Sequence, residues 1–190
     1  MDPTPPDFAM SRAVEILAQL YERQTRAQSV PPPPLDRVAQ LFNETVAFDV
    51  TSTTRAQVER ALGVAFAYPV RGWHTYCVSG GELGREFVSV FYESPGLADD
   101  ALVSAELYVP KAKNAPALAA RNLGRFRLIP GEIAIGTQIG SLSESFARIE
   151  KPEGLGPYHA ILEARFPGGV AYAMGNENVV ERLAIYGLRA

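Results

Sequence analysis

From about Val46 onward the chain is written in short alternating apolar runs cut by glycine and proline turns, and this texture limits what it can fold into. Three runs, WHTYCVSG, REFVSVFYES and DALVSAELYVP, are predicted strands. The first turn between them holds Gly80, Gly81 and Gly84, and the next holds Pro95 and Gly96. Parallel neighbours need a crossover of a dozen or more residues, usually a helix, and none intervenes here. The runs are therefore expected to pair as consecutive antiparallel hairpins. A short helix is expected just before them in TSTTRAQVERALG. Thr54 and Gln57 have capping-box spacing, Val58 and Leu62 stand four apart, and Gly63 occupies the position that ends a helix.

The same order then recurs. IGTQIGSLSESFARI places Ser141 and Glu144 at capping-box spacing, with Leu142 and Phe146 four apart, and predicts a second helix. YHAILEARF, VAYAMG and VVERLAIYG follow as strands, separated by a turn at Pro167 to Gly169 and an Asn-rich turn at Asn176 to Asn178. Val58 and Leu62 align with Leu142 and Phe146. Trp73-His74 aligns with Tyr158-His159, and Leu107-Tyr108 with Ile185-Tyr186. The expectation is an α+β fold of two tandem helix-β-β-β units forming an antiparallel sheet with helices on one face. Unit one spans about 46–111, a linker about 112–127, and unit two about 128–188. An antiparallel sheet of this kind can leave its other face open.

Residues 1–45 read as an N-terminal helical arm with a proline-rich spacer. SRAVEILAQLYERQTRA, residues 11 to 27, carries a broad apolar stripe and is a predicted helix with Ser11 as its cap. Pro31 to Pro34 must end it and favour an extended course, as a stiff spacer or a proline-rich peptide ligand. LDRVAQLFNE then predicts a second short helix with Leu35, Val38, Leu41 and Phe42 on one side. At this length the first helix is marginal alone, so its stripe is expected to cover the sheet or to make a homodimer.

Thr54 to Gly63 followed by a three-stranded meander, echoed by Tyr158 to Tyr186, resembles the β-lactamase-inhibitor-protein-like (BLIP-like) superfamily. The single unit also resembles small outer-membrane lipoproteins of the SmpA/OmlA type. The resemblance covers roughly residues 50–188 and implies binding of other proteins through a sheet face or loops, without catalysis. The chain departs from it in lacking a cysteine pair and a lipoprotein signal and in adding the arm, and no family binding residue transfers by motif. The competing architecture is one curved cystatin-like or nuclear-transport-factor-like sheet around a pocket.

Composition narrows the function classes. Hydrophobic residues make up 47% and charged residues 21%, which is globular usage. A net charge of −3 supplies no global field for nucleic acid or anionic lipid. No apolar run approaches the roughly 20 residues that cross a bilayer, and the acidic, proline-rich start is not a secretory signal. A cytoplasmic protein is expected. One cysteine rules out an internal disulfide framework and a Cys-rich zinc site. Cys77 lies in the apolar run TYCVS and reads as a small hydrophobe. G-x-S-x-G, a P-loop and a strand-linked G-x-G-x-x-G are all missing, so no catalytic residue, metal or cofactor is assigned.

Two places remain for binding. Trp73, His74, Tyr158 and His159 would meet if the repeats are related by a two-fold, lining a ligand or partner site; as strand-start tips they would stay apart. Lys111, Lys113, Arg121, Arg125 and Arg127 form a basic linker patch with no acid among them. It could dock an acidic partner or pair with acids of unit one. Glu82, Glu86, Glu93, Asp99, Asp100 and Glu106 are expected on an exposed face. The preferred function is a non-enzymatic protein-interaction module with an unidentified protein partner. The alternative is a small-ligand-binding or hydrolytic protein with its pocket at the histidines.

Overall fold

The structure, a computed structural model, describes residues 38–44, 46–62, 73–79, 86–92, 101–109, 124–129, 131–142, 146–149, 160–176 and 178–187. The first predicted helix, the proline spacer and most of the linker lie outside these residues. The described part is mostly sheet. Six predicted strands form where the alternation placed them: β3 (Trp73–Ser79), β4 (Glu86–Tyr92), β5 (Leu102–Tyr108), β8 (Ala160–Phe166), β9 (Gly169–Asn176) and β10 (Val179–Gly187). With β7 (Ala147–Ile149) they make one antiparallel seven-stranded sheet in the order β3-β4-β5-β10-β9-β8-β7. The two meanders thus meet through β5 and β10, with Glu106 opposite Ala184.

Turn chemistry sets the hairpins. Phe166 pairs with Gly169, leaving Pro167 and Gly168 as a two-residue turn. Gly168 has φ +81, the left-handed conformation that a type II turn requires after proline. At Gly175 a Cβ would collide with the backbone carbonyl of Val179, so the β9–β10 turn closes only over glycine.

A second sheet was not foreseen. β1 (Gln40–Phe42), β2 (Ala47–Asp49) and β6 (Arg127–Ile129) pair antiparallel in the order β2-β1-β6. The helix predicted over LDRVAQLFNE is therefore wrong in its described part. Leu41 is buried between Phe48 and Leu128 across the ladder, while its neighbours Gln40 and Phe42 are half-buried. Asn43 turns the chain: its N–H donates to the Val46 carbonyl at 2.8 Å and its side chain accepts from the Val46 N–H at 2.8 Å. Tertiary pairing overrides a helical spacing that was only two turns long. The boundary drawn at residue 45 consequently falls inside this sheet.

The first predicted helix of the repeat is present as α1 (Arg55–Leu62), with its capping box. The Thr54 N–H donates to Gln57 Oε1 at 2.7 Å, and the Gln57 N–H to Thr54 Oγ1 at 3.4 Å. Arg55 and Glu59 pair one turn apart at 2.9 Å. Val58 enters the core, and the Leu102 N–H bonds the Thr53 carbonyl at 2.9 Å, tying the helix start to β5. No second α-helix occurs among the described residues of the segment predicted for it, of which 143–145 lie outside them. Ile139–Leu142 form a single 3-10 turn, and β7 begins five residues after it. Leu142 and Phe146 still reach the core together, which is what their spacing recorded.

The main core lies between one face of the large sheet and a layer made of the small sheet, α1 and residues 126–129, 131–142 and 146. Val88, Leu107, Phe166, Leu183 and Ile185 face Leu41, Phe48, Phe126, Ile133 and Leu142. Phe48 and Phe126 stack with centroids 5.5 Å apart. The other sheet face is also buried, around Ile161, Val170, Tyr172, Met174, Ala184 and Tyr186. The expectation of an open face is overturned: on the described central strands neither side is left to solvent. No helix among the described residues is long and apolar enough to cross a membrane.

Asp49 anchors the turn between β2 and α1. Its carboxylate accepts from the Thr51 N–H at 2.7 Å, the Thr51 hydroxyl at 2.6 Å and Gln40 Nε2 at 3.3 Å. Burial pushes its pKa up, but these hydrogen bonds to the charged form outweigh burial and hold it below the ordinary 3.8. Because the folded value is depressed, its contribution is present above the unfolded pKa and lost as pH falls through the folded one. Asp49→Ala should cost about 1–3 kcal/mol near neutrality and flatten part of the acid limb of a stability-versus-pH curve measured by urea unfolding. Superimposable acid limbs would refute this role.

Candidate functional site

The most concentrated chemistry among the described residues sits on the second face of the large sheet, at its centre. On β10, Arg182 and Tyr186 flank Ala184, which stands opposite Glu106 on β5. Both are diagonal neighbours of Glu106, a separation that long side chains span. Arg182 Nε donates to Glu106 Oε2 at 3.1 Å, and its Nη2 donates to the same oxygen. The Tyr186 hydroxyl donates to Oε1 at 2.7 Å. The carboxylate is thus held from both sides. Arg182 lies 5.2 Å from the centroid of the Tyr108 ring, its direct cross-strand neighbour. Tyr172 on β9 meets Tyr186 edge-on at 6.2 Å.

Every member is deep. Glu106 is 1% exposed and Arg182 8%. A charged pair at such depth depends on its hydrogen bonds, and here both oxygens of Glu106 accept one or more. Burial, followed by the negative charge and hydrogen bond of Glu106, raises the Tyr186 pKa well above 10, against the opposing pull of Arg182. The phenol therefore stays protonated and serves as a donor. With Glu106 accepting from both neighbours, the cluster ties β5 to β10.

One row further out, Glu163 on β8 stands opposite Tyr172 and is also 1% exposed. Its Oε1 accepts from Arg165 Nε at 3.0 Å, and its Oε2 makes no hydrogen bond. No group of three His, Cys, Asp or Glu side chains that could hold a metal occurs among the described residues.

Of the expected site residues Trp73, His74, Tyr158 and His159, only the first two fall among the described residues. Trp73 and His74 lie on β3, the outermost strand of the large sheet. Tyr158 and His159 are outside the described residues, directly before β8. Five strand steps separate β3 from β8, roughly 24 Å along the sheet at about 4.8 Å per step. Of the basic patch, Lys111, Lys113 and Arg121 lie outside the described residues. Arg125 and Arg127 each make a contact within the chain and stay exposed. Arg125 Nη2 donates to the Ile135 carbonyl at 2.7 Å and its Nε lies 3.7 Å from Glu86, an acid of unit one. Arg127 pairs with Glu132 at 3.1 Å.

The acids expected at the surface need a correction. Glu86 and Glu106 are 3% and 1% exposed. Both belong to strands paired on both sides within the large sheet. A signal was present: LVSAELY carries a lone acid, Glu106, among mostly apolar neighbours, and VVERLAIYG carries Arg182 beside Glu181 at the head of an apolar run.

Two measurements follow. Glu106→Ala leaves Arg182 buried without its counter-ion and should destabilise the fold by about 3–5 kcal/mol in urea unfolding. In an absorbance titration, Tyr186 should ionise well after the ordinary tyrosines. Its raised pKa means stability present below pH 10 and lost as pH rises toward the folded value. A loss under 1 kcal/mol together with ordinary Tyr186 ionisation would show that the cluster carries little.

No protein-family model, curated protein or solved structure matches this chain.

Proposed function

We propose that this chain is a non-enzymatic protein-interaction module that receives a partner strand along the outer edge of β3. The observation that carries this reading is the inequality of the two sheet edges. Among the described residues β3 and β7 are each hydrogen-bonded on one side only. β7 is three residues long with exposed Arg148 at its centre, and such short, charged edges resist pairing. β3 is seven residues long, WHTYCVS, with no acid, lysine, arginine or proline. An edge of that kind offers a row of backbone donors and acceptors for strand addition.

The two-unit architecture belongs to the same reading. A two-fold through the Glu106–Ala184 pair would carry Leu107-Tyr108 onto Ile185-Tyr186, the match visible in the sequence. It would carry β4 onto β9 and β3 onto β8, in keeping with the strand order. Followed through the ladders, it sets Trp73 on Ile161 and His74 on Leu162. The histidines are then not equivalent, which removes the reason for a shared pocket. The resemblance to BLIP-like proteins favours a binding role, with the β3 edge in place of the open sheet face.

The reading is tested by hydrogen exchange on the full chain, alone and with a captured partner. Amides of residues 73–79 should gain protection in the complex. Protection confined to other segments, or a co-purifying metabolite with no protein partner, would contradict it.

A further inference from the structure

We propose that the strand received by β3 is the β3 of a second copy of this chain, paired antiparallel about a two-fold through Thr75. Two seven-stranded sheets then continue as one. The inference rests on the interaction reading of the β3 edge and names its occupant.

An eighth strand added beside β3 would have to suit the rows that β3 extends. On the face of the main core the ladders run His74–Val90–Ala105–Ile185 and Tyr76–Val88–Leu107–Leu183. On the other face they run Trp73–Phe91–Ser104–Tyr186 and Thr75–Ser89–Glu106–Ala184. Further along these rows both alternations are buried, at Ala105 and Leu107 and at Ser104 and Glu106 of β5, so an incoming strand that continues the rows suits uncharged residues at both alternations. β3 itself meets that specification. A two-fold perpendicular to the sheet also joins each face to its own kind.

Charge points the same way. Residues directly opposite in an antiparallel pair repel when they carry like charge. β3 has no formally charged acid, lysine or arginine, so self-pairing sets none against its copy. Self-pairing of β7 would set Arg148 near its copy. The register follows from β3 as well. Its ladder with β4 is regular from Trp73 to Cys77 and shifts between Cys77 and Ser79. The longest regular self-ladder is centred on Thr75, with Trp73 opposite Cys77 of the second copy.

The test uses the full chain in solution. Light scattering should give twice the 20.6 kDa chain mass at micromolar concentration, falling on dilution. Thr75→Lys and Thr75→Asp each place like charges on the axis and should give the single-chain mass. Mixing the two in equal amounts should restore the doubled mass, an outcome that a folding defect cannot produce. Should either variant fail to fold, Trp73→Cys keeps the question open to measurement. It sets a new thiol opposite the chain's only cysteine, Cys77, and mild oxidation should yield a disulfide-linked dimer. A wild-type mass of one chain at all concentrations would overturn the proposal. So would a dimer indifferent to both Thr75 substitutions, which would move the interface to another surface such as the N-terminal arm. A monomeric wild type whose β3 amides are protected by a different protein would overturn the second copy and leave the interaction reading standing.

Discussion

The ion lock between Glu106 and Arg182, completed by Tyr186, is the interaction on which the rest of the described fold depends. Its partners are 76 and 80 residues apart in sequence. They join β5 to β10, the ladder that connects the two halves of the large sheet among the described residues. Backbone hydrogen bonds alone would tolerate a slipped register, since an antiparallel ladder repeats every two residues. A carboxylate gripped from two diagonal positions allows one alignment. With that alignment set, Leu107 meets Leu183 and Ala105 meets Ile185 on the opposite face, and the main core closes over them. Whether the polar cluster also adds net stability relative to an apolar replacement is a separate matter from the register it enforces.

Burial of both sheet faces changes where function can reside. A two-layer sheet protein offers a face to its partners, but this sheet is a middle layer on its central strands. What it offers among the described residues is an edge. The edges are treated differently: one is cut to three residues with arginine at its centre, and the other runs seven residues without charge. Folded proteins commonly blunt a long edge to avoid unwanted pairing. An unblunted one is therefore informative about use, in the same way that an exposed apolar patch is.

The strands of the two meanders were legible in the sequence because their cause is local. Alternation in REFVSVFYES or YHAILEARF, ended by glycine or proline, is a property of the segment alone. The capping box at Thr54 and Gln57 was legible for the same reason. What escaped is what depends on distant chain. Gln40–Phe42 became a strand because Phe48 and Leu128 bracket Leu41, not because of any signal within the segment. The Leu142–Phe146 spacing that predicted a helix recorded a shared core contact, with a 3-10 turn at Ile139–Leu142 and a strand from Ala147 among the described residues. The central lock was missed because an acid in a hairpin strand is usually solvated. Only the pairing of β5 with β10 turned Glu106 and Arg182 into partners. The alignment of the two histidines came from adjacent aromatics alone, a weaker guide than ladder register.

The most direct test of the central claim is a double-mutant cycle on Glu106 and Arg182, with Glu106→Ala, Arg182→Ala and the double variant compared by urea unfolding. If the pair locks β5 to β10, the double variant should lose less stability than the sum of the single variants, with a coupling of at least about 1 kcal/mol. Additive losses would mean that the two residues act independently and that the join between the halves of the sheet is set by other contacts.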